Sequence, residues 1–315
     1  MVRSSLGNRI VVSLGILCPG QGSQHAEMFD ILVGHAKAAR ALDEAAKVSG
    51  VEFREAVKGV EDIFANGFAQ PLLCAAQLAT WAALREAVPK PVVFAGYSVG
   101  ELAAYGCADA LSVAETVRLA QRRAELMAAA SPSDCSLLAV TGVDRAAAET
   151  WRRKFELEIA IINGPEHFIL GGSMTALSQA ARAAQEAGGR SVPLKVEIPA
   201  HTSLLDGAVE EFESELRKAA FARPAAPVVA GINACAVREP DAAIGTLAAQ
   251  LARPINWSAC METAVEMGVT LFLELGPGAS LARMVREAYP HLGARSVAEF
   301  RSVKGIVEWI DRQRV

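Results

Sequence analysis

Basic blocks, paired cysteines and long apolar runs are all missing from this 315-residue chain, and each absence removes a class of function. Lys and Arg total 31 against 35 Asp and Glu, scattered for a net charge of -4, so no stretch offers the footprint that nucleic acid or an anionic membrane surface requires. The six cysteines (Cys18, Cys74, Cys107, Cys135, Cys235 and Cys260) stand far apart, with no C-x-x-C pair and no histidine at metal-ligand spacing. They read as reduced thiols of a cytoplasmic protein that holds no metal. No apolar run approaches the ~18–20 residues of a membrane span. The run at 10–18, after Arg3 and Arg9, imitates the core of a signal peptide. No A-x-A site follows it, however, and Pro19-Gly20-Gln21-Gly22 marks a strand passing into a loop.

What is present is the balance of a compact α/β enzyme: 52% hydrophobic and 21% charged residues, with Ala-rich stretches alternating with Val/Ile/Leu-rich ones. The first third reads as a strand at 10–18, a Gly-rich loop, helical stretches at 26–49 and 71–88, a strand at 92–95 and a helix at 113–130. Strands alternating with helices imply a mainly parallel sheet. Ser131-Pro132-Ser133-Asp134 then breaks the pattern. From 137 to 196 the order is strand (137–143), helix (144–155), strand (158–163), strand (168–171), helix (174–187) and strand (191–196), the βαββαβ pattern of ferredoxin-like units. Beyond Pro199 the alternation resumes, with strands expected at 228–232 and 271–275. The expectation is a discontinuous large domain, 1–132 with 199–315, carrying an inserted small domain at 133–198.

Gly96-Tyr97-Ser98-Val99-Gly100 fits G-x-S-x-G between an apolar strand and a helical segment. In that context the glycines allow the sharp turn that lifts Ser98 off the backbone at a helix N-terminus, where the Val99 amide can face a developing oxyanion. A serine hydroxyl needs a base, and the chain has five histidines: His25, His35, His167, His201 and His291. His35 falls on a probable helix face, His291 near the trailing end and His167 in a short connection. His25 lies beside the Gly-rich loop and stays a candidate. His201 follows Pro199-Ala200 where the chain re-enters the large domain, a rigid placement suited to a base.

In a parallel sheet the loops at the carboxyl ends of strands converge on one crevice, so Pro19-Gly20-Gln21-Gly22-Ser23-Gln24 and the Ser98 turn can meet there. Gln21 is a candidate second oxyanion donor. Gly276-Pro277-Gly278 could form another wall. Arg118, Arg122 and Arg123 share the following helix. They make a solvated polar face unless one points inward, where its planar fork would select a substrate carboxylate.

Taken together, Pro19 to Gln24, Gly96 to Glu101, Val117-Arg118-Leu119 with Arg123, Asn163, Pro199-Ala200-His201, Gln250 and Gly276-Pro277-Gly278 resemble one family across nearly the whole chain. It is that of the malonyl-CoA:acyl-carrier-protein transacylases and the acyltransferase domains of fatty-acid and polyketide synthases. The resemblance implies an α/β-hydrolase-like large domain with an inserted ferredoxin-like small domain. It implies Ser98 as nucleophile, His201 as base, and the Gln21 and Val99 amides as the oxyanion hole. Arg123 would hold the malonyl carboxylate, Gln250 would orient the histidine through its main-chain carbonyl, and Asn163 would join the substrate-binding set. Malonyl-CoA is then the donor substrate and an acyl-carrier protein, with a phosphopantetheine-type prosthetic group, the partner. No tightly bound cofactor is implied.

One departure is informative. Family members of fatty-acid synthesis usually carry His before the nucleophile, and this chain has Tyr97. Tyr97, Gly231-Ile232 and Ala200-His201-Thr202 look more like the malonyl transacylase (epsilon) subunit of bacterial malonate decarboxylase, which charges a dedicated carrier bearing a dephospho-CoA-derived group. Two other readings of the pentapeptide remain: a serine thioesterase or esterase, since G-x-S-x-G does not distinguish water from a thiol as acceptor, and a non-catalytic carrier-binding subunit.

Overall fold

The computed structural model describes residues 12–196 and 198–314. Its first half contains β1 (Leu14–Cys18), α1 (Ala36–Ser49), α2 (Phe53–Gly59), α3 (Asn66–Leu84), β2 (Val93–Gly96), α4 (Val99–Cys107) and α5 (Val113–Ala130). The middle contains β3 (Cys135–Thr141), α6 (Arg145–Lys154), β4 (Glu158–Gly164), β5 (His167–Ser173), α7 (Met174–Glu186) and β6 (Arg190–Pro193). The rest comprises α8 (Asp206–Lys218), β7 (Val228–Val229), β8 (Ala236–Val237), α9 (Pro240–Ala249), β9 (Ile255–Asn256), α10 (Trp257–Glu266), β10 (Leu271–Glu274), α11 (Ser280–Ala288), β11 (Gly293–Ser296) and α12 (Val303–Arg312).

Two sheets result. One has six strands in the order β11-β10-β1-β2-β7-β8, parallel except for β8. β1 and β2 are buried along their whole length, which is why both read as unbroken apolar runs rather than alternating ones. The second sheet has the order β6-β3-β5-β4-β9. Its first four strands are antiparallel neighbours, with α6 and α7 making the crossovers, while β9 joins in parallel from beyond residue 199. A separate apolar cluster, including Leu138, Val140, Trp151, Phe168 and Leu170, packs these helices on this sheet.

Several expected boundaries shift for identifiable reasons. The strand expected at 10–18 is β1 from Leu14, and Ile10 and Val11 lie outside the described residues. The helix expected over 26–49 begins only at Ala36, after a 3-10 turn at Asp30–Leu32, because Gly34 adopts a left-handed φ of 83°. The helix expected from Pro71 starts at Asn66 and runs through the proline. Asn66 docks that extra turn by donating to the Ala124 carbonyl of α5 at 3.0 Å. The strand expected at 228–232 stops at Val229, and the chain turns to aim the Gly231 amide at Glu101.

Candidate active site

Ser98 occupies the turn between β2 and α4 with φ 55° and ψ -121°, a conformation that costs a non-glycine residue about 1–3 kcal/mol. Sterics on both sides hold it there. A Cβ on Gly96 would lie 2.1 Å from the Glu101 nitrogen, and one on Gly100 would lie 2.0 Å from the Cys18 carbonyl oxygen. The two glycines therefore let the elbow fold back on itself and seat α4 against the end of β1. Hydrogen bonds from Tyr97 N to the Cys18 carbonyl and from Gly100 N to the Tyr97 carbonyl, both 2.9 Å, complete the turn.

His201 arrives from the other side of the chain. Its backbone is also left-handed, at φ 65°, and its amide donates to the Leu251 carbonyl at 2.8 Å. Its Nδ1 lies 2.6 Å from the Gln250 main-chain carbonyl, so that nitrogen carries the proton. Nε2 is then the acceptor, and the Ser98 hydroxyl donates to it at 2.8 Å. Gln250 caps the C-terminus of α9, where carbonyls lack intrahelical partners and the helix dipole is negative. The partner of Nδ1 is thus a helix-end carbonyl rather than a carboxylate. In the resting arrangement burial, seconded by the nearby Arg123 charge, drives the imidazole down to about 3, so it is neutral and free to accept a proton at physiological pH.

Among the three arginines of α5, the structure separates one from the others. Arg118 pairs with Glu115 and Glu215, and Arg122 with Glu125 and Glu211, at the surface. Arg123 points inward and is 2% exposed. Its guanidinium donates to Gln70 Oε1 at 2.8 Å and to Gln250 Oε1 at 3.3 Å. Burial lowers it to about 10, with Cys74 and Glu101 opposing, and it remains a cation at neutral pH.

The Pro19 loop closes against Ser98. A Cβ on Gly20 would meet the Tyr97 carbonyl at 2.8 Å and the Ser98 Cβ at 3.6 Å, so Gln21 follows a residue already touching the elbow. The Gln21 side chain donates to Asn66 Oδ1 at 3.3 Å, and Gln77 Nε2 holds the Pro19 carbonyl at 2.8 Å. As the first amide of α4, Val99 N–H has no intrahelical acceptor. The Gly276-Pro277-Gly278 loop packs on the same segment, with Gly276 against Pro19 and Gly278 against Ser23. Next to Asn66 opens a cleft of about 770 Å³ whose lining includes Phe64, Gly67, Ser131, Leu194 and Lys195, with the Lys195 ammonium 4.6 Å from the centre of the Phe64 ring.

The remaining histidines stand apart from Ser98 in the bonding pattern. His25 pairs with exposed Glu27. His35 precedes α1 without capping it through its side chain, and His291 stacks edge-on with Tyr289. His167 begins β5, not a connection, and lies 3.2 Å from the Asn163 amide. Asn163 flanks the Tyr97 phenol, which burial pushes up, and Tyr97 also stacks edge-on with Trp257 at 5.4 Å.

Sequence reasoning passed over Gln70 and Asn66 altogether and met Glu101 only as the end of a motif. All three are polar groups in buried or partly buried helical surroundings. The available signal was Gln70 and Gln77, spaced seven apart in the apolar run of α3. Polar residues on a buried helix face must be paired, and here the pairs lead to the site. Among the described residues no group of three or more His, Cys, Asp and Glu is placed to hold a metal ion. Nor is any helix there long and apolar enough to cross a membrane.

The arrangement defines a class. Residues 16–307 match the acyl transferase domain family, and the chain belongs to it. Within that class it is similar to the malonyl CoA-acyl carrier protein transacylases of Haemophilus influenzae (28% identity, covering 93% of this chain and 97% of the relative) and Bacillus subtilis (27%, 95% and 98%). Its fold superposes on an acyl carrier protein S-malonyltransferase from Vibrio cholerae with a TM-score of 0.87 at 28% identity, covering 93% of this chain and 99% of that one. It also superposes on a malonyl transacylase solved in complex with a type II polyketide acyl-carrier protein, with a TM-score of 0.89 at 27% identity over 94% and 99% of the chains.

Proposed function

We propose that the chain is a malonyl-CoA:acyl-carrier-protein S-malonyltransferase working through an acyl-enzyme on Ser98. The observation that carries this reading is a buried, always-charged Arg123 wired to the residue that orients His201, an arrangement a simple esterase has no use for. His201 Nε2 takes the Ser98 proton as Oγ attacks the thioester carbon, and the C–S bond breaks as His201 returns the proton to the coenzyme A sulfur. The carrier thiol then attacks the Ser98 ester, its proton passing through His201 to Oγ. The Val99 and Gln21 amides stabilise the oxyanion in both halves, and Arg123 binds the malonyl carboxylate. Asn163, beside Tyr97, contributes to the substrate-binding wall. Phosphopantetheine-type thiols serve as donor and acceptor, with no tightly bound cofactor.

The architecture we assign is an α/β-hydrolase-like large domain, residues 1–132 with 199–315, and an inserted ferredoxin-like domain, 133–198. The β6-β3-β5-β4 order and the separate apolar cluster support it. For the acceptor we favour the dedicated carrier of a malonate decarboxylase in the cytoplasm. Tyr97 in the place where relatives of fatty-acid synthesis usually carry His, with Gly231-Ile232 and Ala200-His201-Thr202, supports this.

Intact-mass measurement after brief exposure to malonyl-CoA should show one malonyl adduct, absent in Ser98→Ala. On adding carrier, malonyl-carrier should form. Free malonate as the only product would establish a hydrolase, and no adduct a non-catalytic subunit. Faster transfer to a fatty-acid carrier than to a decarboxylase carrier would overturn the acceptor assignment.

A further inference from the structure

Glu101 is fully buried in α4, three residues after the nucleophile, and no step above uses it. Its Oε2 accepts hydrogen bonds from the Gly231 amide at 2.9 Å and from the Gln250 Nε2 amide. Gln250 Oε1 in turn accepts from Arg123, and Gln250 also supplies the main-chain carbonyl on His201 Nδ1. The orientation of this carboxamide is chemically forced. Arginine can only donate, so the Gln250 oxygen faces Arg123, and the Gln250 nitrogen, itself a donor, faces Glu101, whose carboxyl burial pushes up to about 7.

The same logic runs outward. Arg123 donates to Gln70 Oε1, Gln70 Nε2 to Asn66 Oδ1, and Asn66 Nδ2 to the Ala124 carbonyl. Every amide in the network has a single allowed sense, set by Arg123, which only donates, and at the outer end by a main-chain carbonyl. Gln250 is the weak point, because it terminates α9, where helices fray. Without a partner on its nitrogen, its side chain keeps only the 3.3 Å bond from Arg123, and the carbonyl that holds the histidine loses one of its restraints.

We propose that Glu101 is a positioning residue: through the Gln250 side chain it fixes both the carbonyl that orients His201 and the guanidinium that selects the acyl group. The selectivity half of this inference rests on the transferase reading, and the histidine half does not. Glu101 therefore couples the choice of substrate to the readiness of the nucleophile, through one shared amide.

The test separates the two halves. Sulfonylation of Ser98 by phenylmethylsulfonyl fluoride, a neutral reagent, needs His201 but no carboxylate site. Glu101→Ala should slow it about tenfold and lower the malonyl-to-acetyl preference about tenfold, the size of coupling expected within one hydrogen-bond network. Glu101→Gln, whose carbonyl oxygen can accept the same two N–H groups, should stay within about threefold of the parent on both measures. Glu101→Asp, which keeps the charge but falls one methylene short, should behave like Glu101→Ala and replaces it if the alanine variant does not fold. Glu101→Asp reacting at the parental rate with parental selectivity overturns the proposal, as does a Glu101→Gln as impaired as Glu101→Asp. If the parent takes no malonyl group, the transferase reading falls, while the sulfonylation series still decides the role of Glu101.

Discussion

Arg123→Ala tests the assignment at its most specific point. The substitution removes a 2%-exposed guanidinium and with it two hydrogen bonds, to Gln70 Oε1 and Gln250 Oε1. For a malonyl substrate the loss is one partner of a desolvated, hydrogen-bonded charge pair, worth about 2–5 kcal/mol, or roughly 30- to 5,000-fold in kcat/KM. For acetyl-CoA no carboxylate is involved, and the expected loss is only what a loosened Gln250 costs His201, about tenfold or less. The fold should weaken as well, because two buried amide oxygens each lose a donor at about 1–3 kcal/mol apiece. Rates of Ser98 acylation by malonyl-CoA and acetyl-CoA, followed by intact mass on protein whose folded state is checked by circular dichroism, give the ratio directly. Arg123→Lys should recover charge but not the two-pronged geometry, and so only part of the malonyl rate. Equal losses with both donors would refute the role of Arg123 and with it the strongest reason to prefer a malonyl substrate.

Three further outcomes concern other parts of the molecule. Gly100→Ala places a Cβ 2.0 Å from the Cys18 carbonyl, a main-chain atom that cannot step aside, so Ser98 reactivity towards sulfonyl fluoride should be lost. Gly67→Ala, with nothing within 4 Å, should melt at or above the parental temperature, and a reactive Gly100→Ala would contradict the elbow geometry. Glu274, 1% exposed at the end of β10, is pushed up to about 7 by burial despite the Ala282 amide on its Oε2. Its pKa is higher folded than unfolded, so the folded state binds the extra proton and the group costs stability as pH rises from about 4.5 to 7. The stability of Glu274→Gln relative to the parent should therefore rise by about 1–3 kcal/mol between pH 4.5 and 8 in urea melts, and a pH-independent difference would show the carboxylate to be already ionised in the fold.

Much of this was legible because local rules and tertiary demands agree. α5 runs over Val113–Ala130 as its pattern indicates, started by Ser112, whose hydroxyl accepts the Glu115 amide. The βαββαβ order is visible because Asp144 and Ser173 cap α6 and α7 at the points where the period changes. The two-residue strands β8 and β9 were not legible, since so short a segment has no period and exists only by pairing with β7 and β4. β11 also escaped, its Gly-Ala-Arg-Ser sequence carrying no strand signature apart from its pairing with β10.

The elbow is written in the local sequence. Gly96 and Gly100 are required by contacts within a few residues or with the adjacent strand, so a five-residue pattern in a strand-to-helix setting suffices to find Ser98. Residue patterns alone left the candidate base at His201 or His25 and the candidate carboxylate partner among three arginines, and the family resemblance pointed to His201 and Arg123. What pattern could not supply is the contacts that bring these residues together, across 103 residues between Ser98 and His201, 49 between His201 and Gln250, and 127 between Arg123 and Gln250. Side chains one position apart on a helix point in different directions, which is why Arg122 faces solvent and Arg123 the interior. The same holds for Glu101, whose partners come from two distant turns of chain that meet only when the sheet has formed.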